Sequence, residues 1–63
     1  MVRRLQTDAQ FERAYRSQAA VYVRDRSRNA NPYVGALEGF NPMYVTVSGE
    51  RLPRRDYDFL VLR

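Results

Sequence analysis

The chain has 63 residues, 11 of them arginine and 7 acidic, with no lysine, histidine or cysteine and a formal charge of +4. The missing side chains remove the usual acid–base and thiol chemistry, disulfide staples and Cys/His metal sites. A chain this short is expected to form one domain, 1–63, burying only about 60% of the surface its unfolded form exposes, so it needs tight packing, self-association or a partner.

Met1–Gln6 is a short basic lead-in carrying Arg3 and Arg4. Thr7-Asp8-Ala9-Gln10 fits a capping box, in which Thr7 accepts from the third helical amide and Gln10 reaches back. Asp8 then lies in the first turn, where the helix dipole favours negative charge. Phe11, Ala14, Tyr15, Gln18, Ala19 and Tyr22 follow one helical face. Glu12 and Arg16 form an i,i+4 pair in the better orientation. No Gly or Pro interrupts before Asn29, so the period predicts one continuous helix to about Arg28, stopped by Asn31-Pro32. The β-branched and aromatic run Val21-Tyr22-Val23 leaves a second option, a helix ending near Ala20 followed by a strand over Val21–Arg24.

Asn31–Gly39 reads as a short helical turn, with Asn31 as cap, Pro32 in the first position and Gly39 closing it. Asn41-Pro42 is a second turn. Met43–Ser48 alternates as a strand, with Met43, Val45 and Val47 on one face and Tyr44, Thr46 and Ser48 on the other. Ser48-Gly49 marks a turn. Arg51–Asp56 reads as a loop, because Pro53 disfavours a central strand. Tyr57–Leu62 is the second strand, and Phe59-Leu60-Val61-Leu62 is apolar on both faces, which calls for cover from another element or another chain.

The expected fold is therefore α+β: one long N-terminal helix packed on a C-terminal antiparallel β-hairpin, with a short helical turn between them. A homo-oligomer or larger assembly through the Tyr57–Leu62 strand would thicken so thin a core. No apolar run approaches the ~20 residues needed to cross a bilayer, and no leader precedes the helix, so no membrane is expected and the cytoplasm is the expected compartment.

Positive charge falls in two blocks. Residues 1–31 carry seven Arg against three acids, residues 29–50 carry no Arg and two acids, and residues 51–63 carry four Arg against two acids. On the continuous helix, Arg13, Arg16, Ala20 and Arg24 share a stripe opposite Phe11, Tyr15 and Tyr22, with Arg26 and Arg28 following at its end; such a face suits a phosphate backbone. Arg51, Arg54 and Arg55 form a basic loop that suits phosphate oxygens. Tyr44, facing away from the strand's apolar side, is a candidate for stacking on a base. Tyr15 and Tyr22 read as core packing.

Each feature has an ordinary reading. Arginine without lysine also follows from GC-rich codon usage, a basic helix stripe is commonly a solvated face, and charges beside Pro53 protect a sheet edge. Asp25, Glu38, Asp56 and Asp58 converge on no acid–base pair. The three glycines make no phosphate-cradling motif. An enzyme, a metal site and a cofactor are therefore not expected. What remains is a small binding module contacting nucleic acid, RNA or DNA. The alternative is a factor for an acidic protein surface, as an inhibitor of a larger enzyme or an accessory subunit of an assembly such as a virion.

Glu12-Arg13-Ala14, Arg26-Ser27-Arg28 and Pro32-Tyr33 together resemble the N-terminal half of ribosome modulation factor, a family of short basic helical proteins that bind ribosomal RNA. The resemblance covers about a third of the chain, implies RNA as a partner, and transfers no site residues. Met43–Leu62 departs from it, reading as strands where the family is helical.

Overall fold

The computed structural model describes residues 2–62, with Leu62 as backbone only. Met1 of the basic lead-in and Arg63 of the terminal basic block lie outside them. Where one long helix on a hairpin was expected, the described chain is mostly antiparallel sheet: β1 Val2–Arg4, α1 Asp8–Arg16, β2 Ala20–Asp25, β3 Tyr33–Phe40, β4 Tyr44–Val47, β5 Glu50–Pro53, a one-turn 3-10 helix Arg54–Asp56, and β6 Tyr57–Leu62. The strands lie in the order β1-β6-β2-β3-β4-β5.

The helix begins as its sequence dictates. Thr7 Oγ1 accepts from the Gln10 amide at 3.2 Å, and Gln10 Oε1 accepts from the Thr7 amide at 3.2 Å. It stops at Arg16, not Arg28. Ser17 closes it, donating its amide to the Arg13 carbonyl, and Gln18 turns left-handed at φ 55°. That conformation costs a non-glycine residue roughly 1 kcal/mol. The gain comes from β2, where Val21 and Val23 are completely buried while Tyr22 and Arg24 face the other way. A helix would have spread those two valines around its circumference. The strand reading of Val21–Arg24 is the one realised, extended to Ala20–Asp25, and the single arginine stripe through Arg13, Arg16, Ala20 and Arg24 does not exist.

Asn31–Gly39 is likewise not a helical turn but the approach to β3 and most of that strand. Tyr33–Ala36 pairs with β2, and Leu37–Phe40 pairs with β4, with an irregularity between Leu37 and Gly39. Gly35 explains how close the packing is. A Cβ there would stand 2.2 Å from Ser48 Oγ and 2.8 Å from Val47 Cγ1. β4 and β5 form a tight hairpin through Ser48 (φ 50°) and Gly49 (φ 83°), the paired positive angles of a type I′ turn. Met43 lies outside β4 and is exposed, so only Val45 and Val47 of the expected apolar face point inward. Arg51–Pro53 belongs to β5 rather than to a loop; Pro53 is tolerated because β5 is an edge strand.

The Tyr57–Leu62 strand exists, but its partners differ from those expected. β6 pairs with β1 on one side and β2 on the other, and with neither β4 nor β5. Its apolar character reflects an interior position in the sheet, so it is not an edge open to another copy. Phe59 and Val61 face inward with Val21, Val23, Leu37, Val45, Val47 and Leu52, and α1 lies over this inner face. Phe11 holds the two halves of the sheet together, stacking on Phe40 of β3 at 5.8 Å and meeting Phe59 of β6 edge-on at 5.7 Å. Among the described residues no charged or polar residue is buried, and no helix is long and apolar enough to cross a membrane.

Candidate functional site

The sheet's outer face is set by alternation. With Val21, Val23, Phe59 and Val61 inward, Tyr22, Arg24, Asp58 and Leu60 must point outward. Register then makes neighbours of residues far apart in sequence: Arg24 opposes Asp58, Leu60 opposes Tyr22 and Arg4, and Tyr22 opposes Val34.

Asp58 is the centre of this face. Its carboxylate accepts from Arg24 at 2.9 Å and Arg26 at 3.0 Å, and pairs with Arg4 at 2.9 Å. Burial pushes its pKa upward and is the largest single influence. The hydrogen bonds from Arg24 and Arg26 and the charge of Arg4 together outweigh it, so the carboxyl is held below its ordinary value. The Asp58 side chain is only 12% exposed, whereas the three arginines remain 44–47% exposed. One carboxylate offsets one guanidinium, leaving a net +2 on side chains already held in place. Each guanidinium has five N–H donors, so most still face solvent.

Around the corner from this cluster, a cleft of about 400 Å³ is walled by Arg4, Arg26, Arg54 and Arg55 and floored by Phe11, Tyr57, Phe59 and Pro42. Arg55 is 90% exposed, with only a loose 3.8 Å pairing to Asp56. Arg54 is built into the fold instead. Its guanidinium bonds Asp8 at 2.6 Å and the carbonyls of Asn41 and Gln6 at 2.9 and 3.0 Å.

Beside the arginines runs an apolar row across β6, β2 and β3: Leu60, Tyr22 and Val34, with Ala20 and Ala36 one step along. Val34 is 56% exposed, and Val2 of β1 is 55% exposed at the same face's edge. Tyr22 is thus an outer-face residue, not a core one, and Tyr15 is 46% exposed.

The other arginines expected to act lie elsewhere. Arg13 is exposed on α1 and, with Arg3 and Gln10, lines a separate pocket at the seam between the helix and the sheet, over Leu5 and Val61. Arg16 is paired with Glu12. Arg28 stands in the β2–β3 turn with φ 60°. Arg51 lies over the Tyr44 ring, 4.2 Å from its centre, so one face of the ring expected to take a base is covered by a cation. The structure therefore gathers Arg24, Arg54 and Arg55 with Arg4 and Arg26, and leaves Arg13, Arg16, Arg28, Arg51 and Tyr44 apart. Arg4 escapes a sequence reading that runs the helix to Arg28, and Arg26 enters that reading only as the end of a helical stripe. The available signal is that Tyr22, Arg24 and Arg26 alternate with Val21 and Val23.

Among the described residues no three carboxylates gather as a metal site would require. The Tyr33 hydroxyl is buried with no partner at hydrogen-bonding geometry. Burial first, and then the charge of the Glu50 carboxylate and its approach to the hydroxyl as an acceptor, raise its pKa, although no bond of good geometry forms between them. The stretches resembling ribosome modulation factor fall on α1, on the β2–β3 turn and at the start of β3, so the helical fold that the resemblance implied is absent. Searches of protein-family models, curated proteins and solved structures return no match for this chain.

Proposed function

We propose that the protein is a non-enzymatic nucleic-acid-binding module that grips phosphates with the outer-face arginines Arg4, Arg24 and Arg26, assisted by Arg55 across the cleft. The observation that carries this reading is the sharing of Asp58 by three arginines. Two unneutralised positive charges are fixed in position on a solvent-facing sheet, so little side-chain entropy is lost when an anion docks. Arginine's planar fork matches a phosphate's oxygens in a way that lysine's point charge does not.

Fluorescence anisotropy with labelled oligonucleotides at ~50 and ~200 mM salt tests it. Three phosphate contacts on a single strand give a slope near −2, hence a loss of about twentyfold across that range. Arg24→Ala/Arg26→Ala is expected to weaken binding and flatten the slope, whereas Arg13→Ala/Arg16→Ala is expected to change little. No binding at the lower salt sinks the proposal.

A protein partner is favoured by a different observation, the exposure of Val2 and Val34 beside Tyr22 and Leu60. An apolar centre rimmed by arginine fits a protein surface with an acidic margin. Affinity that survives high salt would point there.

A further inference from the structure

Resting on the nucleic-acid reading, we infer that the strand bound is single, with bases seated on the Leu60–Tyr22–Val34 row and the adjoining phosphates on Arg4, Arg24 and Arg26. The row and the charges share one face and one register. Neighbouring strands are spaced by about 4.8 Å, so the three side chains form a strip about 10 Å long with an aromatic at its centre. Arg24 stands two residues beyond Tyr22 on the same face, about 6.7 Å along the strand. Arg4 flanks Leu60 at the other end of the row. A base laid on Tyr22 thus carries its backbone toward guanidinium groups already fixed by Asp58.

A duplex does not fit this arrangement. Its bases are stacked and paired, so it offers no ring face to Tyr22. Its major groove, about 12 Å wide, admits one helix or a two-stranded ribbon. The four strands β1, β6, β2 and β3 span about 14 Å before side chains are added. Nor does α1 serve as a groove reader, since it is nine residues long and Arg16, on its outward face, is tied to Glu12. An unpaired strand exposes both bases and phosphates, which matches an aliphatic and aromatic strip beside a fixed positive charge.

The test compares oligonucleotides of about 12 nucleotides, within the site sizes of small β-sheet binders, as single-stranded DNA, single-stranded RNA and duplex DNA at one salt concentration. Single strands are expected to bind at least tenfold more tightly than the duplex. Tyr22→Thr keeps a strand-forming residue and is expected to weaken single-strand binding by about fivefold to a hundredfold with the salt slope unchanged. Tyr22→Phe is expected to retain binding. Arg24→Ala/Arg26→Ala is expected to lower the slope instead. Val34→Thr, isosteric and neutral at a position already exposed, probes the same strip should Tyr22→Thr fail to fold, and is expected to weaken binding. Equal or tighter duplex binding, or single-strand binding untouched by Tyr22→Thr and Val34→Thr, overturns this inference and leaves the nucleic-acid reading standing. Absence of binding to every oligonucleotide overturns both.

Discussion

The Arg54 guanidinium lies over the ring of Phe11, 4.5 Å from its centre. The charge that sequence alone assigns to a binding loop therefore closes the core, joining the start of α1 to the end of β5 through Asp8, Gln6 and Asn41. Arg54→Ala is expected to destabilise the protein by about 2 kcal/mol, from the lost cation–π contact and the carbonyls left with poorer partners. For a domain this small that shifts the thermal midpoint by about 10 °C or more. Arg55→Ala, at a fully solvated side chain, is expected to stay within about 0.5 kcal/mol. Thermal unfolding followed by circular dichroism separates the two, and equal midpoints for both variants would remove Arg54 from the fold's supports.

Gly35 and Gly39 make a matched pair on β3. A methyl group at Gly35 has no room against Ser48 and Val47, whereas one at Gly39 meets nothing within 4 Å. Gly35→Ala is expected to cost about 1–3 kcal/mol through overpacking. Gly39→Ala is expected to be neutral or to stabilise by about 0.5 kcal/mol, because alanine narrows the unfolded ensemble. Denaturant midpoints check both, and a tolerated Gly35→Ala would mean that β3 and the β4–β5 hairpin are not held as closely as described.

Acid is expected to weaken the protein through Asp58. Its folded pKa lies below the ordinary value, so its stabilising contribution is present above the carboxylate range and is lost as pH falls through the folded pKa. Asp25 acts in the same direction, because the Ser27 hydroxyl and amide bond its carboxylate. The urea midpoint should hold from neutral pH to about pH 5 and decline below about pH 4. Asp58→Asn should lower the midpoint at pH 7, where three arginines lose their shared counter-charge, and should reduce the acid slope. An unchanged midpoint and slope would show that the cluster adds nothing to stability.

Tyr33 offers a test of opposite sign. Its hydroxyl is buried, and the Glu50 carboxylate approaches it without a hydrogen bond of good geometry; a group left so costs about 1 kcal/mol or more. Tyr33→Phe is expected to stabilise by about 1 kcal/mol, read from the denaturant midpoint. A loss of similar size would show that the hydroxyl donates to Glu50 in solution.

The features legible in the sequence are those settled within a few residues. The Thr7/Gln10 capping box, the Glu12–Arg16 pair, the inward Val45 and Val47 and the Ser48-Gly49 turn all depend on near neighbours. The helix end does not. Phe11, Ala14, Tyr15, Gln18, Ala19 and Tyr22 satisfy the helical period straight through Gln18, which turns left-handed although it is not a glycine. What stops the helix is the burial available to Val21 and Val23 in a sheet whose other strands lie far along the chain. The site shares this difficulty. Arg24 bonds a carboxylate 34 positions away, so its role and those of Arg4 and Arg26 emerge only when β6 stands between β1 and β2.

That placement of β6 also orders events during folding. β2, β3, β4 and β5 pair in chain order through hairpin-like steps, so they can associate without β6. β1, although first among the strands in the chain, has no neighbour until Tyr57–Leu62 docks to bridge it to β2. Until then β1 is unpaired, β2 lacks its second neighbour, and Arg4, Arg24 and Arg26 have no Asp58. Chains truncated before Tyr57 should stay open to protease at β1 and α1, whereas chains that include β6 should gain protection there. Equal protection in the shorter chains would place the first closure elsewhere. The same late, long-range closure should make folding slow for so short a chain, in milliseconds to seconds rather than microseconds.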